Sequence, residues 1–121
     1  MKLKIYIVED SPIIAAALKK MVTVMGHSVA GIAASYEDAI TEIMKMDIDT
    51  VITDIMLAGQ KNGVDLGAYV KEHLNVPVIY QSSITDAHLI LRAMSTEPLA
   101  YLIKPVTRME LTNALLSVDA A

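Results

Sequence analysis

The segment Val51-Ile52-Thr53-Asp54-Ile55-Met56 carries the strongest structural signal in this 121-residue chain. It is a short apolar run that ends in a single carboxylate, Asp54, and turn residues follow shortly after it. An acid at the carboxyl end of a buried strand lies where parallel α/β sheets bind their ligands. Two other apolar runs repeat this design, one ending in Glu9-Asp10 and the other in Lys104.

Composition narrows the class of protein before any residue is assigned a role. A chain of 121 residues that is 54% hydrophobic can form one domain with a full core, so we expect a single domain over 1–121. It lacks an apolar run of about eighteen residues, a signal-peptide pattern and cysteine, as expected of a cytoplasmic protein. A net charge of −4 and few aromatic residues argue against direct binding to nucleic acid or to a membrane.

Strand and helix patterns alternate along the whole chain. Apolar and β-branched runs predict strands at 4–8, 28–33, 49–54, 76–81 and 99–103. Capping residues and apolar residues at helical spacing predict helices that begin at Ser11-Pro12, Ser35, about Val64, about Thr85 and Thr107. The predicted fold class is therefore α/β.

Alternation at this spacing predicts a doubly wound, five-stranded parallel sheet with five helices on its two faces. The common strand order for this size is 2-1-3-4-5, in which the first and third strands are neighbours at the switch point. In that order, Glu9, Asp10 and Asp54 meet in one crevice. Ser82 and Lys104, which follow the fourth and fifth strands, form its other wall.

Three crowded carboxylates repel one another, and a bound divalent cation relieves that repulsion. Mg²⁺ prefers oxygen ligands and keeps several waters, so a few carboxylates and a carbonyl suffice to bind it. The ammonium group of Lys104 and the hydroxyl of Ser82 are donors suited to phosphoryl oxygens. Asp54 is then placed to act as a nucleophile toward phosphorus.

Taken together, these residues resemble the signature of response-regulator receiver domains of two-component signalling, the CheY-like domains with a flavodoxin-like fold. The resemblance rests on Glu9-Asp10, Asp54, Ser82 and the segment Tyr101-Leu102-Ile103-Lys104-Pro105, in that order and at the family's spacing. It extends over nearly the whole chain, from about residue 4 to about residue 118. Each motif is weak alone, and their combination is specific.

The resemblance implies a chemical role for each residue of the crevice. Asp54 is the implied phosphoacceptor, which takes a phosphoryl group from a histidine kinase or a phosphotransfer protein. Asp10 binds Mg²⁺ directly, Glu9 assists through water, and the backbone carbonyl of Met56 completes the protein's ligands. Lys104 pairs with a phosphoryl oxygen and precedes a cis peptide bond to Pro105.

The resemblance also implies a switch. Ser82 moves toward the phosphoryl group, Tyr101 turns inward, and the surface of the fourth helix, fifth strand and fifth helix changes. That surface controls an output protein or domain, and a phosphorylation-dependent homodimer is one possible result. The protein is then a signalling switch rather than an enzyme. The loop after Met56 is about one residue longer than is usual in the family, which leaves the course of residues 57–63 open.

Three other functions compete with this interpretation. A flavodoxin-like cofactor binder needs a glycine- or hydroxyl-rich phosphate loop after the first strand, whereas Glu9-Asp10 repels phosphate unless a metal intervenes. A phosphatase-type hydrolase with an aspartate nucleophile would have that residue after the first strand and a further acid two residues on. A degenerate receiver that only binds another protein stays open, although the acids and the lysine argue against it.

Overall fold

Five strands alternate with five helices in the structure, a computed structural model that describes residues 2–118. The strands are β1 (Lys4–Val8), β2 (Ser28–Ala33), β3 (Thr50–Asp54), β4 (Val78–Ser82) and β5 (Ala100–Ile103). The helices are α1 (Pro12–Val24), α2 (Tyr36–Ile43), α3 (Gly63–His73), α4 (Ala87–Ser95) and α5 (Arg108–Leu116). Within residues 2–118, every helix is too short or too polar to cross a bilayer.

All neighbouring strands pair in parallel, in the order β2-β1-β3-β4-β5. The predicted fold class and strand order are therefore confirmed. The register pairs Val8 with Thr53, Asp54 with Gln81, and Ser82 with Ile103. Because these residues lie at the carboxyl ends of their strands, the side chains that follow them converge at one edge of the sheet.

Two predicted boundaries differ from the structure by two residues, and both differences have local reasons. β4 begins at Val78 rather than residue 76, because Pro77 has no N–H to donate to the ladder. The Pro77 carbonyl still accepts hydrogen bonds from Val51 N (3.2 Å) and Thr50 Oγ1 (2.8 Å). α4 begins at Ala87 rather than near Thr85, because the Asp86 side chain is the N-cap.

Helix caps otherwise follow the sequence signals. Ser11, Ser35 and Thr107 cap their helices as predicted. Asn62, in the loop that the sequence left open, is the N-cap of α3, and its side chain accepts hydrogen bonds from the backbone of Val64 and Asp65. Asp65 in turn accepts from the Asn62 backbone, which completes a capping box.

The sheet separates two apolar cores. The face covered by α2, α3 and α4 buries Tyr6, Val8, Ala39, Ile43, Val51, Leu66, Val70, Tyr80 and Ala93, among others. The face covered by α1 and α5 buries Ile5, Ile7, Leu18, Val22, Ile52, Ile79, Leu111 and Leu115, among others. With an apolar core on each face, the strands are held rigidly, so the residues at their carboxyl ends keep fixed positions.

Gly67 on α3 makes room for the fully buried Tyr80, whose hydroxyl shares a hydrogen bond of 2.7 Å with Thr96 Oγ1. A Cβ on Gly67 would lie 1.9 Å from the Tyr80 hydroxyl oxygen and 2.8 Å from Cζ. We therefore expect Gly67→Ala to lower the free energy of unfolding by about 2 kcal/mol. Urea denaturation checks this value. In a Tyr80→Leu background the same change should cost much less, and an equal cost in both backgrounds would contradict this explanation.

Candidate functional site

The site is built at the carboxyl ends of β1, β3 and β5. Glu9 and Asp10 directly follow β1, Asp54 is the last residue of β3, and Lys104 directly follows β5. The backbone N–H of Lys104 donates to the carbonyl of Ser82 at 2.9 Å, which holds the Lys104 backbone against the carboxyl end of β4. The structure thus brings together the acids and the lysine that the sequence predicted at one edge.

Lys104 joins two carboxylates that are otherwise buried. Its Nζ lies 2.6 Å from Asp54 Oδ2 and 2.8 Å from Glu9 Oε1. The side chains of Asp54 and Glu9 are 9% and 1% exposed, and that of Lys104 is 17% exposed. Buried charges are tolerated only when they are paired, and this lysine is the shared counterion of both acids.

The pKa of Lys104 reflects this environment. Burial alone lowers it, but the hydrogen bonds and negative charges of Asp54 and Glu9 outweigh that effect, and the pKa is raised above its usual range. Because the raised pKa favours the charged form, the ammonium persists throughout the neutral pH range. A positive charge is therefore held permanently beside the Asp54 carboxylate.

The three acids form a cluster that suits a hard metal ion. Glu9, Asp10 and Asp54 each offer a carboxylate oxygen, and these atoms lie within 4.8 Å of one another. Partial loss of water and then the neighbouring Glu9 carboxylate raise the pKa of Asp10, although the residue as a whole is exposed. A divalent cation relieves this repulsion between carboxylates, and a site made only of oxygen ligands suits Mg²⁺. That the backbone carbonyl of Met56 is a further ligand of the metal stays a prediction.

Ser82 and Tyr101, the two predicted switch residues, lie on neighbouring strands. Ser82 ends β4, and its Oγ accepts a hydrogen bond of 2.9 Å from the backbone N–H of Ile84. Tyr101 packs beside Tyr80, with ring centroids 6.2 Å apart. The Tyr101 hydroxyl is buried and has no hydrogen-bond partner among residues 2–118. The hydroxyl of Ser82 is thus hydrogen-bonded to the backbone two residues later, whereas the hydroxyl of Tyr101 is buried without a partner among the described residues.

The loop after β3, whose course the sequence left open, is pinned against the start of α2. Ala58 forms a parallel bridge with Ser35, and its N–H donates to the Ala34 carbonyl at 3.2 Å. Lys61 Nζ lies 4.8 Å from the centroid of the Tyr36 ring, a cation–π contact. The longer loop therefore has defined contacts on the side of the crevice nearest β2.

One residue of the site was missed by the sequence analysis. Gln81, 1% exposed on β4, donates from Nε2 to Glu9 Oε1 at 3.3 Å. The signal in the sequence was a glutamine inside an otherwise apolar strand, since a buried amide needs a hydrogen-bond partner. Sequence alone did not show that this partner is Glu9.

The Lys104–Pro105 peptide bond is cis, as the resemblance implied. Residues 5–116 match the family model for the response regulator receiver domain. The fold and this match, which extends over most of the chain, define its class: the protein belongs to the receiver-domain family of response regulators. It is accordingly a receiver domain of two-component signalling.

Relatives of known name agree with this assignment. The chain is 25% identical to the chemotaxis protein CheY of Thermotoga maritima, over 96% of this chain and 97% of that protein. It is also 25% identical to the transcriptional regulatory protein PdtaR of Mycobacterium tuberculosis, over 93% of this chain and 54% of PdtaR. The chain thus spans about half the length of PdtaR.

Solved structures give the same fold. The signal receiver domain of a modulated diguanylate cyclase from Desulfovibrio desulfuricans G20 superposes with a TM-score of 0.93 at 30% identity, covering 98% of this chain and 94% of that one. A putative response regulator from Chloroflexus aurantiacus J-10-fl gives a TM-score of 0.89 at 26% identity, with full coverage of both chains.

Proposed function

We propose that this receiver domain is a phosphorylation switch in which Asp54 is the phosphoacceptor. An Asp54 carboxylate oxygen attacks the phosphorus of a phosphohistidine on a histidine kinase or phosphotransfer protein. The P–N bond breaks, and the imidazole leaves with the electron pair. The observation that carries the proposal is the ammonium of Lys104, 2.6 Å from Asp54 Oδ2 and 2.8 Å from Glu9 Oε1, beside the three-acid cluster.

The residues of the crevice are proposed to have two separate roles, metal binding and pairing with the phosphoryl group. Glu9, Asp10, Asp54 and the carbonyl of Met56 are proposed to hold Mg²⁺, which supplies charge neutralisation when phosphate approaches. Lys104 is proposed to pair with a phosphoryl oxygen as it now pairs with the carboxylates. Such transfer depends mainly on positioning and electrostatics, so the domain needs no further catalytic machinery.

A route for the phosphoryl donor lies beside the crevice. A largely apolar groove of about 370 Å³ runs between α1 and the segment after β5, and Lys104 and Gln81 form part of its wall. Ile13, at its rim and two residues after the α1 N-cap, is 82% exposed. An exposed apolar side chain beside an apolar groove suits a protein partner, and we assign this groove to the donor.

The output surface is proposed to be the face of α4, β5 and α5. Five large apolar side chains are exposed on these three elements: Leu91 (67%), Met94 (49%), Ile103 (67%), Met109 (74%) and Leu116 (66%). Tyr101 lies on β5, within this face, and Ser82 lies on the neighbouring β4, so a change at either one has a short distance to travel. The proposed partner is an output protein, an output domain or a second copy of this chain. We further propose that the protein is cytoplasmic and that it does not contact nucleic acid or a membrane directly.

The proposal is tested with beryllofluoride and Mg²⁺, which together stand in for a phosphoryl group on aspartate. We expect Mg²⁺-dependent NMR shifts at Asp54, Ser82, Tyr101 and Lys104 in the wild type, and none in Asp54→Asn. Intact mass after treatment with acetyl phosphate should show one added phosphoryl group in the wild type only. Asp86→Asn is the matched control, because asparagine also caps a helix and the residue lies outside the crevice. A wild type without response would favour a degenerate receiver that acts only through protein binding.

A further inference from the structure

Gln81 is a buried polar residue that the proposed chemistry does not use. It lies on the same β4 strand as the proposed switch residue Ser82 and is 1% exposed. Its Nε2 donates to Glu9 Oε1 at 3.3 Å, across the end of β3. Burying an amide in a strand costs free energy unless it is hydrogen-bonded, so this contact determines where the side chain points.

The Glu9 carboxylate is held at both of its oxygens. Oε2 accepts from the backbone N–H of Ser11 at 2.9 Å. Oε1 accepts from Lys104 Nζ at 2.8 Å and from Gln81 Nε2. Of these donors only Lys104 is also bound to Asp54, at 2.6 Å. A phosphoryl group on Asp54 competes for Lys104. Glu9 Oε1 then keeps only one side-chain hydrogen-bond donor, Gln81 Nε2.

We propose that Gln81 is a positioning residue of the phosphorylation site, which keeps Glu9 oriented toward the metal when Lys104 turns to the phosphoryl group. This inference rests on the proposed function. Glutamine suits the task because its amide is neutral and donates without adding a positive charge that would repel Mg²⁺. Replacing a residue that orients a metal-binding group typically weakens metal affinity by about ten- to a hundredfold.

The test compares Mg²⁺ dissociation constants of four proteins by calorimetry, with beryllofluoride present so that Lys104 is engaged by the phosphoryl mimic. The four proteins are wild type, Gln81→Met, Glu9→Gln and the double variant. Methionine keeps the length and approximate volume of glutamine but removes the donor. We expect Gln81→Met to weaken Mg²⁺ binding about tenfold in the wild-type background. In the Glu9→Gln background the same change should have little effect, because Gln81 acts through the Glu9 carboxylate.

A purely structural role predicts a different pattern. Gln81→Met would then lower the urea midpoint but leave the Mg²⁺ dissociation constant unchanged, and that result would overturn the inference. If Gln81→Met does not fold, the Gln81 side-chain amide signals are followed by NMR instead. One of the two amide protons should shift on Glu9→Gln, and in the wild type it should stay hydrogen-bonded after beryllofluoride is added. An amide signal insensitive to Glu9→Gln also overturns the inference.

These outcomes separate the two proposals. If the wild type shows no Mg²⁺-dependent response to beryllofluoride, the proposed function fails and the role of Gln81 fails with it. If the wild type responds and Asp54→Asn does not, but Gln81→Met binds Mg²⁺ as the wild type does, only the role of Gln81 is wrong.

Discussion

Gly63→Ala is expected to lower the free energy of unfolding by about 4 kcal/mol and to displace the carboxyl end of β3. A Cβ on Gly63 would lie 1.8 Å from the Asp54 carbonyl oxygen, 2.8 Å from the carbonyl carbon and 2.9 Å from Ile55 Cα. All three are backbone atoms, so no side chain can rotate to relieve the overlap. The N–H of Gly63 also donates to the Ile55 carbonyl at 2.7 Å, which holds the two segments together.

Urea denaturation measures the loss of stability, and Mg²⁺ titration reports the accompanying damage at Asp54. Gly26→Ala is the control, because Gly26 has φ +96° but a Cβ added there would meet no atom of residues 2–118 within 4 Å. That substitution tests backbone conformation alone and should cost roughly 1 kcal/mol. Equal losses for Gly63→Ala and Gly26→Ala would show that the close approach of α3 to β3 is not the source of the effect.

Lys104→Ala has the second large expected effect, and its size depends on Mg²⁺. Without the metal, removing the ammonium leaves Glu9 and Asp54 buried and uncompensated, at a cost of about 3 kcal/mol. The fold should persist, because the two apolar cores are untouched. Saturating Mg²⁺ should restore much of the loss, since a ligand that binds only the folded state stabilises it.

Thermal unfolding of Lys104→Ala with and without Mg²⁺ checks this expectation, and Lys71→Ala is the control. Lys71 pairs with Glu97 at an exposed position, where loss of the ion pair has little effect on stability. Lys104→Ala should also separate phosphorylation from the change of the α4–β5–α5 face. If the beryllofluoride-bound variant and wild type gave identical spectra for that face, this uncoupling would be refuted.

Much of the fold follows from the sequence because its signals are local. The alternation of apolar runs with capped helices predicts the parallel sheet, and the strand order places the residues that follow β1, β3 and β5 at one edge. Asp54, Glu9, Asp10 and Lys104 were therefore predicted to be neighbours without any knowledge of distances. The start of α4 was harder to predict because Thr85 and Asp86 are both able to cap a helix, and only backbone geometry selects Asp86.

Other features of the site depend on contacts between distant segments. The bond from Gln81 to Glu9 joins residues 72 positions apart, and it requires a particular side-chain conformation at both. The sharing of Lys104 between two acids likewise depends on where its flexible side chain ends. The close approach of Gly63 to Asp54 arises from the packing of α3 on β3. Residue type indicated none of these three contacts.

The enclosed hydroxyl of Tyr101 has a consequence for signal fidelity. A buried hydroxyl without a partner costs about 1–3 kcal/mol, whereas burial of an aromatic ring contributes a similar amount of the opposite sign. In the proposed switch, we therefore expect the two positions of the Tyr101 ring to differ little in free energy, and each 1.4 kcal/mol would change their ratio about tenfold. A switch balanced in this way would need only a modest input to change state. We expect the same balance to give the proposed switch some output in the absence of any stimulus.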